Sequence, residues 1–270
     1  TTRPAKPFCR LYTHEILMQA KLGILGMSQL ATSWYREQLS AEILAQSAFF
    51  SSDFDKLNEL LPLPSEELLA RLGRELEQSK SLSHLLVPNI TIHHCLDILK
   101  ERGKLETKLI HPLELLIDRL QDLQEKEIII FGTVHTMKPC YISDRLAGSG
   151  ISCSFPKPID IAFIDQFRRD VFQGNESTQQ LKKYGQVLGE YSNDKIVVLC
   201  CTELSMRYAG NNDRVIDLAR LQISEFKRLF KILLLYDLVQ RLEIDAPAKL
   251  IMVFTPSKQA SSISFCLGFQ

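Results

Sequence analysis

The chain has 270 residues, enough for one large domain or two small ones, and its 45% hydrophobic and 24% charged content is that of an ordinary globular protein. Lys+Arg and Asp+Glu each number 32, so the formal net charge is zero and nothing electrostatic points to nucleic acid or an anionic membrane as partner. Seven cysteines, at 9, 95, 140, 153, 200, 201 and 266, are odd in number and form no CxxC pair. Neither a disulfide framework nor a zinc site is therefore expected, and a reducing cytoplasm is the expected compartment.

The opening segment, residues 1–20, is basic and acid-poor but lacks the continuous apolar core of a signal peptide, so it is expected to be an N-terminal extension. "KLGILGM" (21–27) is a short apolar run ended by glycine, and Ser28 can cap the helix that follows over 28–44. "LAQSAFF" (44–50) reads as a second strand. After "LPLPS", Ser65 followed by Glu66 and Glu67 marks a helix start, and that helix is expected to run to about Gln78. "HLLVPN" (84–89) is a third apolar run, followed by a helix over 91–104 that stops at Gly103. "TKLIHPL" (107–113) is a fourth strand, and 114–127 a fourth helix.

The pattern then restarts. Strands are expected at 128–132, 151–156 and 195–201, with helices at 137–150, 160–173 and 176–192. The strands are continuous apolar runs rather than alternating ones, which favours parallel sheets covered by helices on both faces. Gly26 to Asn89 spans 63 positions and Gly132 to Cys201 spans 69, so each half runs from a strand ending in glycine to a strand ending in a polar or thiol residue. The expected architecture is α/β: two pseudo-symmetric, doubly wound parallel-sheet lobes, 21–125 and 126–213, with a cleft between them where ligands sit at strand carboxyl ends. A C-terminal helix over 214–243 is expected to return to the first lobe. Residues 244–270 read as an extension with a β-hairpin, on a sheet edge or on a second protomer.

Four stretches carry a resemblance to a known family. "VVLCCTEL" is similar to the "GCTEL" motif of the aspartate/glutamate racemase superfamily, and "LGILGMSQLATSWYREQL" resembles its opening "GGMSxEAT…YYR" with one glycine missing. "IIIFGTVHTMKPCYISDRL" resembles its "LLGTxxTM…FYxxRL", and "VIDLARLQ" its "xxDTTxIH". The matches keep the family's order over roughly residues 21 to 230. The resemblance implies a two-lobed fold and cofactor-independent isomerase chemistry at the carbon next to a carboxylate, in amino-acid metabolism. It also implies Cys201 as a proton carrier, and no metal or cofactor.

The partner position departs from the family. Where the family carries "CNTxH" or "TNTxH", this chain has "VPNITIHH", so Asn89 stands in place of the first proton carrier, Thr91 and His93 matching the Thr and His. An asparagine amide exchanges no proton at useful pH; His93 or His94 could titrate in its place. The usual basic anchors for a distal carboxylate are also missing from "SAFFSSDFDKL" and "PKPIDIAFIDQF", where Lys56 and Lys157 are the nearest cations. Ser28, Thr91, Thr133, Thr136, Thr202 and Glu203 are the candidate substrate-binding residues, with His135 as a replacement for the missing cation. Thr133 and Thr136 could equally cap the next helix.

Three readings follow. The first is a racemase-like isomerase acting through Cys201 opposite Asn89. The second is a noncatalytic relative binding a small carboxylate or a protein. The third is a one-thiol decarboxylase or isomerase. The expected partners are a small carboxylate or amino acid and a second copy of the chain in a homodimer, with no nucleic acid and no membrane.

Overall fold

The computed structural model describes residues 21–241; the expected extensions at 1–20 and 244–270, the hairpin included, lie outside the described residues. The chain divides into two compact units, of which 21–228 is one, and the described part of the other, 229–241, is the distal end of the last helix.

Strand β1 (Leu22–Gly26) leads into α1 (Gln29–Glu37), whose N-terminus is capped by Ser28 Oγ accepting from Ala31 N at 3.2 Å. The single helix expected over 28–44 is broken. Ser40 starts a fresh helix, α2 (Ala41–Gln46), by accepting from Ile43 N, so β2 begins only at Ala48 and ends at Ser51. A short helix, α3 (Phe54–Asn58), follows, and α4 (Glu66–Leu76) is capped by Ser65 as its sequence signals. Then come β3 (His84–Leu86), α5 (His93–Glu101), β4 (Lys108–Leu109) and α6 (Pro112–Leu123), whose first turn is capped by His111 Nδ1 accepting from Leu113 N.

The second half comprises β5 (Glu127–Phe131), α7 (Tyr141–Ala147), β6 (Ser152–Ser154), α8 (Pro158–Gln173), α9 (Thr178–Ser192) and β7 (Ile196–Leu199). It closes with α10 (Thr202–Met206), β8 (Val215–Asp217) and α11 (Leu218–Arg241). Helix α7 starts four residues later than 137 because Pro139 breaks the approach and Cys140 N is capped by Ser143 Oγ at 2.9 Å. The second lobe also extends past residue 213: β8 pairs with β7, Leu199 beside Asp217, so the segment expected to be wholly helical opens with a strand. "VID" is too short an apolar run to separate from the helical pattern behind it.

Both sheets are wholly parallel and share one order, β2-β1-β3-β4 and β6-β5-β7-β8. The expected pseudo-symmetric α/β fold is the observed one. Period-two alternation is plain in the second sheet. Ile128, Ile130, Ile196, Val198 and Cys200 enter one core, with α6 and α7, while Ile129, Phe131, Val197, Leu199 and Cys201 enter another, with α8 and α9. A sheet buried on both faces needs the continuous apolar strands the sequence carries.

The lobes meet through polar groups. Asp97 of α5 accepts from Tyr141 and Arg145 of α7 and lies 3.4 Å from His111 Nε2, while His94 stacks on Tyr141 with ring centroids 4.4 Å apart. Burial alone would raise the Asp97 carboxyl; the His111, Tyr141 and Arg145 donors outweigh it and hold it well below the carboxylate range. Among the described residues no helix is long and apolar enough to cross a membrane.

His93 is fully buried; its Nδ1 donates to Asn89 O at 2.8 Å and its Nε2 has no partner. Burial, then the neighbouring His111, pushes its pKa down to about 3 from 6.5. The unfolded chain therefore binds a proton that the folded chain refuses, and this stability is complete above about pH 6.5 and is lost as pH falls towards 3. Between pH 7 and 5 this group alone should cost about 2 kcal/mol of unfolding free energy. Urea unfolding of wild type and His93→Gln across that range checks it: the variant, though less stable at pH 7, should show a flatter decline.

Candidate functional site

The carboxyl ends of β1, β3, β5 and β7 open on one cleft of about 360 Å³, lined from both halves of the chain. Of the residues expected there, Ser28, Asn89, Thr91, Thr133, His135, Cys201, Thr202 and Glu203 line it; Thr136 and His93 do not. Thr136 is buried, its hydroxyl donating to Thr133 O at 3.0 Å and its N–H to Thr133 Oγ1, so it closes the turn after β5. Gly132 makes that turn possible, since a Cβ there would stand 2.4 Å from Thr136 Oγ1. His93 is directed into the first lobe by its bond to Asn89 O, as the helical advance from residue 89 turns it away from the cleft.

Cys201 follows β7 and is the N-cap of α10, in extended conformation (φ −147°, ψ 129°). Its Sγ donates to Glu203 Oε2 at 2.6 Å. Burial pushes the thiol pKa well up, the adjacent Glu203 carboxylate pushes it further by charge and by hydrogen bond, and Arg168 opposes weakly. The resting group is therefore a thiol whose proton is held between sulfur and the Glu203 carboxylate. Cys200 points to the opposite face of the sheet and is also driven up by burial, with no carboxylate acceptor.

At the equivalent strand end of the first lobe stands Asn89. Its Oδ1 accepts from Ile92 N at 3.1 Å, so the amide serves the chain's turn into α5. Among the described residues lining that wall, none has a side chain that titrates near neutrality; Thr91 contributes a hydroxyl.

The cation of the cleft is Arg168, on α8. Lys56 is exposed and paired with Asp53 at 2.5 Å, and neither it nor Lys157 lines the cleft. Arg168 follows directly on the stretch in which an anchor was sought, ending at Phe167, and lies about three helical turns from Lys157. Its Nε donates to Asp165 Oδ1 at 2.8 Å, and the same buried carboxylate accepts from Val134 N at 3.0 Å and from Arg169. Asp165 thus fixes the turn after β5 and the cleft arginine together. The signal was legible in principle: Asp165, Arg168 and Phe172 fall at helical spacing on one face. Among the described residues no cluster of His, Cys, Asp and Glu could hold a metal ion.

A scan of the sequence against protein-family models gives no match, and a search of curated proteins gives none. Solved structures do match. An aspartate racemase homologue from Pyrococcus horikoshii OT3 is 16% identical at TM-score 0.64, over 78% of this chain and 99% of that one. A putative Asp/Glu racemase from Yersinia pestis is 18% identical at TM-score 0.67, over 78% and 98%. The aspartate racemase of Picrophilus torridus is 17% identical at TM-score 0.60, over 81% and 99%. The chain has the fold of these proteins.

Because Glu203 raises the Cys201 pKa by charge and hydrogen bond, its neutralisation should release more thiolate. Alkylation by iodoacetamide at pH 7.5, mapped by mass spectrometry, should mark Cys201 before Cys200 and run several-fold faster in Glu203→Gln. Unchanged or slower labelling of that variant would contradict a pKa raised by Glu203 in the resting site.

Proposed function

We propose, from the premise that the chain has the fold of the aspartate and glutamate racemases, that its cleft binds a small carboxylate and exchanges the proton at the adjacent carbon on one face only. The observation that carries this is the asymmetry of the two strand ends: a Cys201–Glu203 thiol–carboxylate pair at 2.6 Å on one side, and a chain-committed Asn89 amide on the other. Racemisation needs a proton carrier on each face; this site offers one.

The chemistry balances with the groups present. The Arg168 guanidinium, with hydroxyls of Ser28, Thr133 and Thr202 in the same cleft, receives the carboxylate. Glu203 takes the thiol proton, the Cys201 thiolate removes the α-proton, and charge passes onto the substrate carboxylate as an enediolate facing the arginine. The same thiol then returns a proton, and Glu203 hands back its own. Proton loss and return occur on one side, so configuration is retained, and solvent hydrogen enters because the thiol and carboxyl protons exchange with water before one of them is returned to the carbon. A homodimer and a cytoplasmic setting, both expected from the sequence, remain part of this proposal.

The second reading, a noncatalytic carboxylate binder, is favoured by the raised thiol pKa, which leaves little thiolate at neutral pH. Incubation with amino acids and simple 2-substituted carboxylates in D₂O, followed by NMR and chiral chromatography, separates the two. We expect α-deuteration without inversion, abolished in Cys201→Ser. In Asn89→Cys, inversion should appear and rise about 10²–10⁴-fold over wild type, at a stability cost of about 1 kcal/mol for the lost bond to Ile92 N. Binding without exchange in the wild type selects the noncatalytic reading, and inversion by the wild type overturns the one-face mechanism.

A further inference from the structure

The cleft lining is of two chemistries, and the difference names a ligand class. Charge enters through Arg168 and Glu203, of opposite sign, and one of the arginine's five N–H donors is spent on Asp165 at 2.8 Å. One carboxylate is matched; a second would face Glu203 without a cation of its own. The lining also has an apolar part: Phe54, Leu61 and Pro62 of the first lobe and Phe172 of α8. Beyond the two phenylalanines the cleft continues into an adjoining hollow that shares Ser28, Phe54 and Phe172 and is bordered by Asp53 and Asp55, groups that repel a further anion.

Arg168 and Phe172 are four residues apart on one helix, so they present a guanidinium and an aromatic ring from the same face, about 6 Å apart along the axis. Phe172 is 48% exposed, an aromatic with apolar surface left open to solvent. A dicarboxylic amino acid would leave that surface wet and carry a surplus charge into it.

We infer that the cleft selects a monocarboxylate bearing a bulky apolar or aryl group on the adjacent carbon, with Phe54 and Phe172 as the specificity-determining residues. This rests on the carboxylate-site reading and deepens it. The carboxylate lies against Arg168 and the strand-end hydroxyls, the α-carbon beside Cys201, and the apolar group between the two rings.

Calorimetric titration of the whole chain with acetate, phenylacetate and aspartate tests it. Phenylacetate should bind at least roughly tenfold tighter than acetate or aspartate. Phe172→Ala, at a half-exposed position whose loss leaves the core intact, should remove most of the preference, and Phe54→Ala the rest if that variant folds by circular dichroism. Arg168→Gln should weaken all three ligands together. Equal or tighter binding of aspartate, or a phenylacetate preference unchanged in Phe172→Ala, overturns the inference while leaving a carboxylate site standing. Failure of all three acids to bind overturns both.

Discussion

The cleft depends on the buried polar contacts that hold the two halves of the molecule in one relative position. Gln222, wholly buried on the helix that leaves the second sheet, accepts from Tyr35 OH at 2.8 Å and donates to Ile110 O at 2.8 Å. Both partners belong to the first lobe. A buried amide left without partners would cost about 1–3 kcal/mol, so these bonds tolerate little sliding. On the opposite flank Asp97 gathers His111, Tyr141 and Arg145, tying the helix after Asn89 to the helix after the Thr133 turn. Apolar interfaces can slip and repack; directional polar ones specify a single geometry. Asn89 and Cys201 face one another because of these clamps.

Within that frame each half treats its strand end differently. The second lobe ends β7 in a thiol bonded to a carboxylate, an arrangement that keeps the proton on sulfur. The first lobe ends β3 in an amide turned back onto its own helix start. His93, which could have carried a proton, is drawn into the lobe by the carbonyl of the same Asn89 and kept neutral by burial. The two halves share one strand order and differ in the side chains at these strand ends.

Much of this was legible from the chain. Short continuous apolar runs, those of β1 and β5 closed by Gly26 and Gly132, mark the parallel sheets, and Ser28 and Ser65 mark helix starts by their own capping chemistry. The thiol, the amide and the hydroxyls of 28, 91, 133 and 202 fell at strand ends, where the α/β topology gathers ligand-binding groups. What escaped was set by tertiary contact. Ser40 restarts a helix that periodicity runs straight through, and β8 is three residues that only a pairing with β7 makes a strand. Thr136 looks like a cleft hydroxyl until its donor is seen to close a turn. Arg168 stands one residue past the stretch that the family's anchor position matches. Which turn of a helix reaches a cleft depends on how the helix is laid against the sheet, and Asp165 decides that here.

The central claim is that this cleft presents a carboxylate and its neighbouring carbon to a single proton carrier. Crystals soaked with phenylacetate test it most directly. The account predicts the carboxylate within hydrogen-bond distance of Arg168 and the strand-end hydroxyls, the α-carbon in contact with Cys201 Sγ, and Asn89 still bonded to Ile92 N. A ligand bound with its α-carbon remote from Cys201, or with a titratable side chain brought against the opposite face, would contradict it.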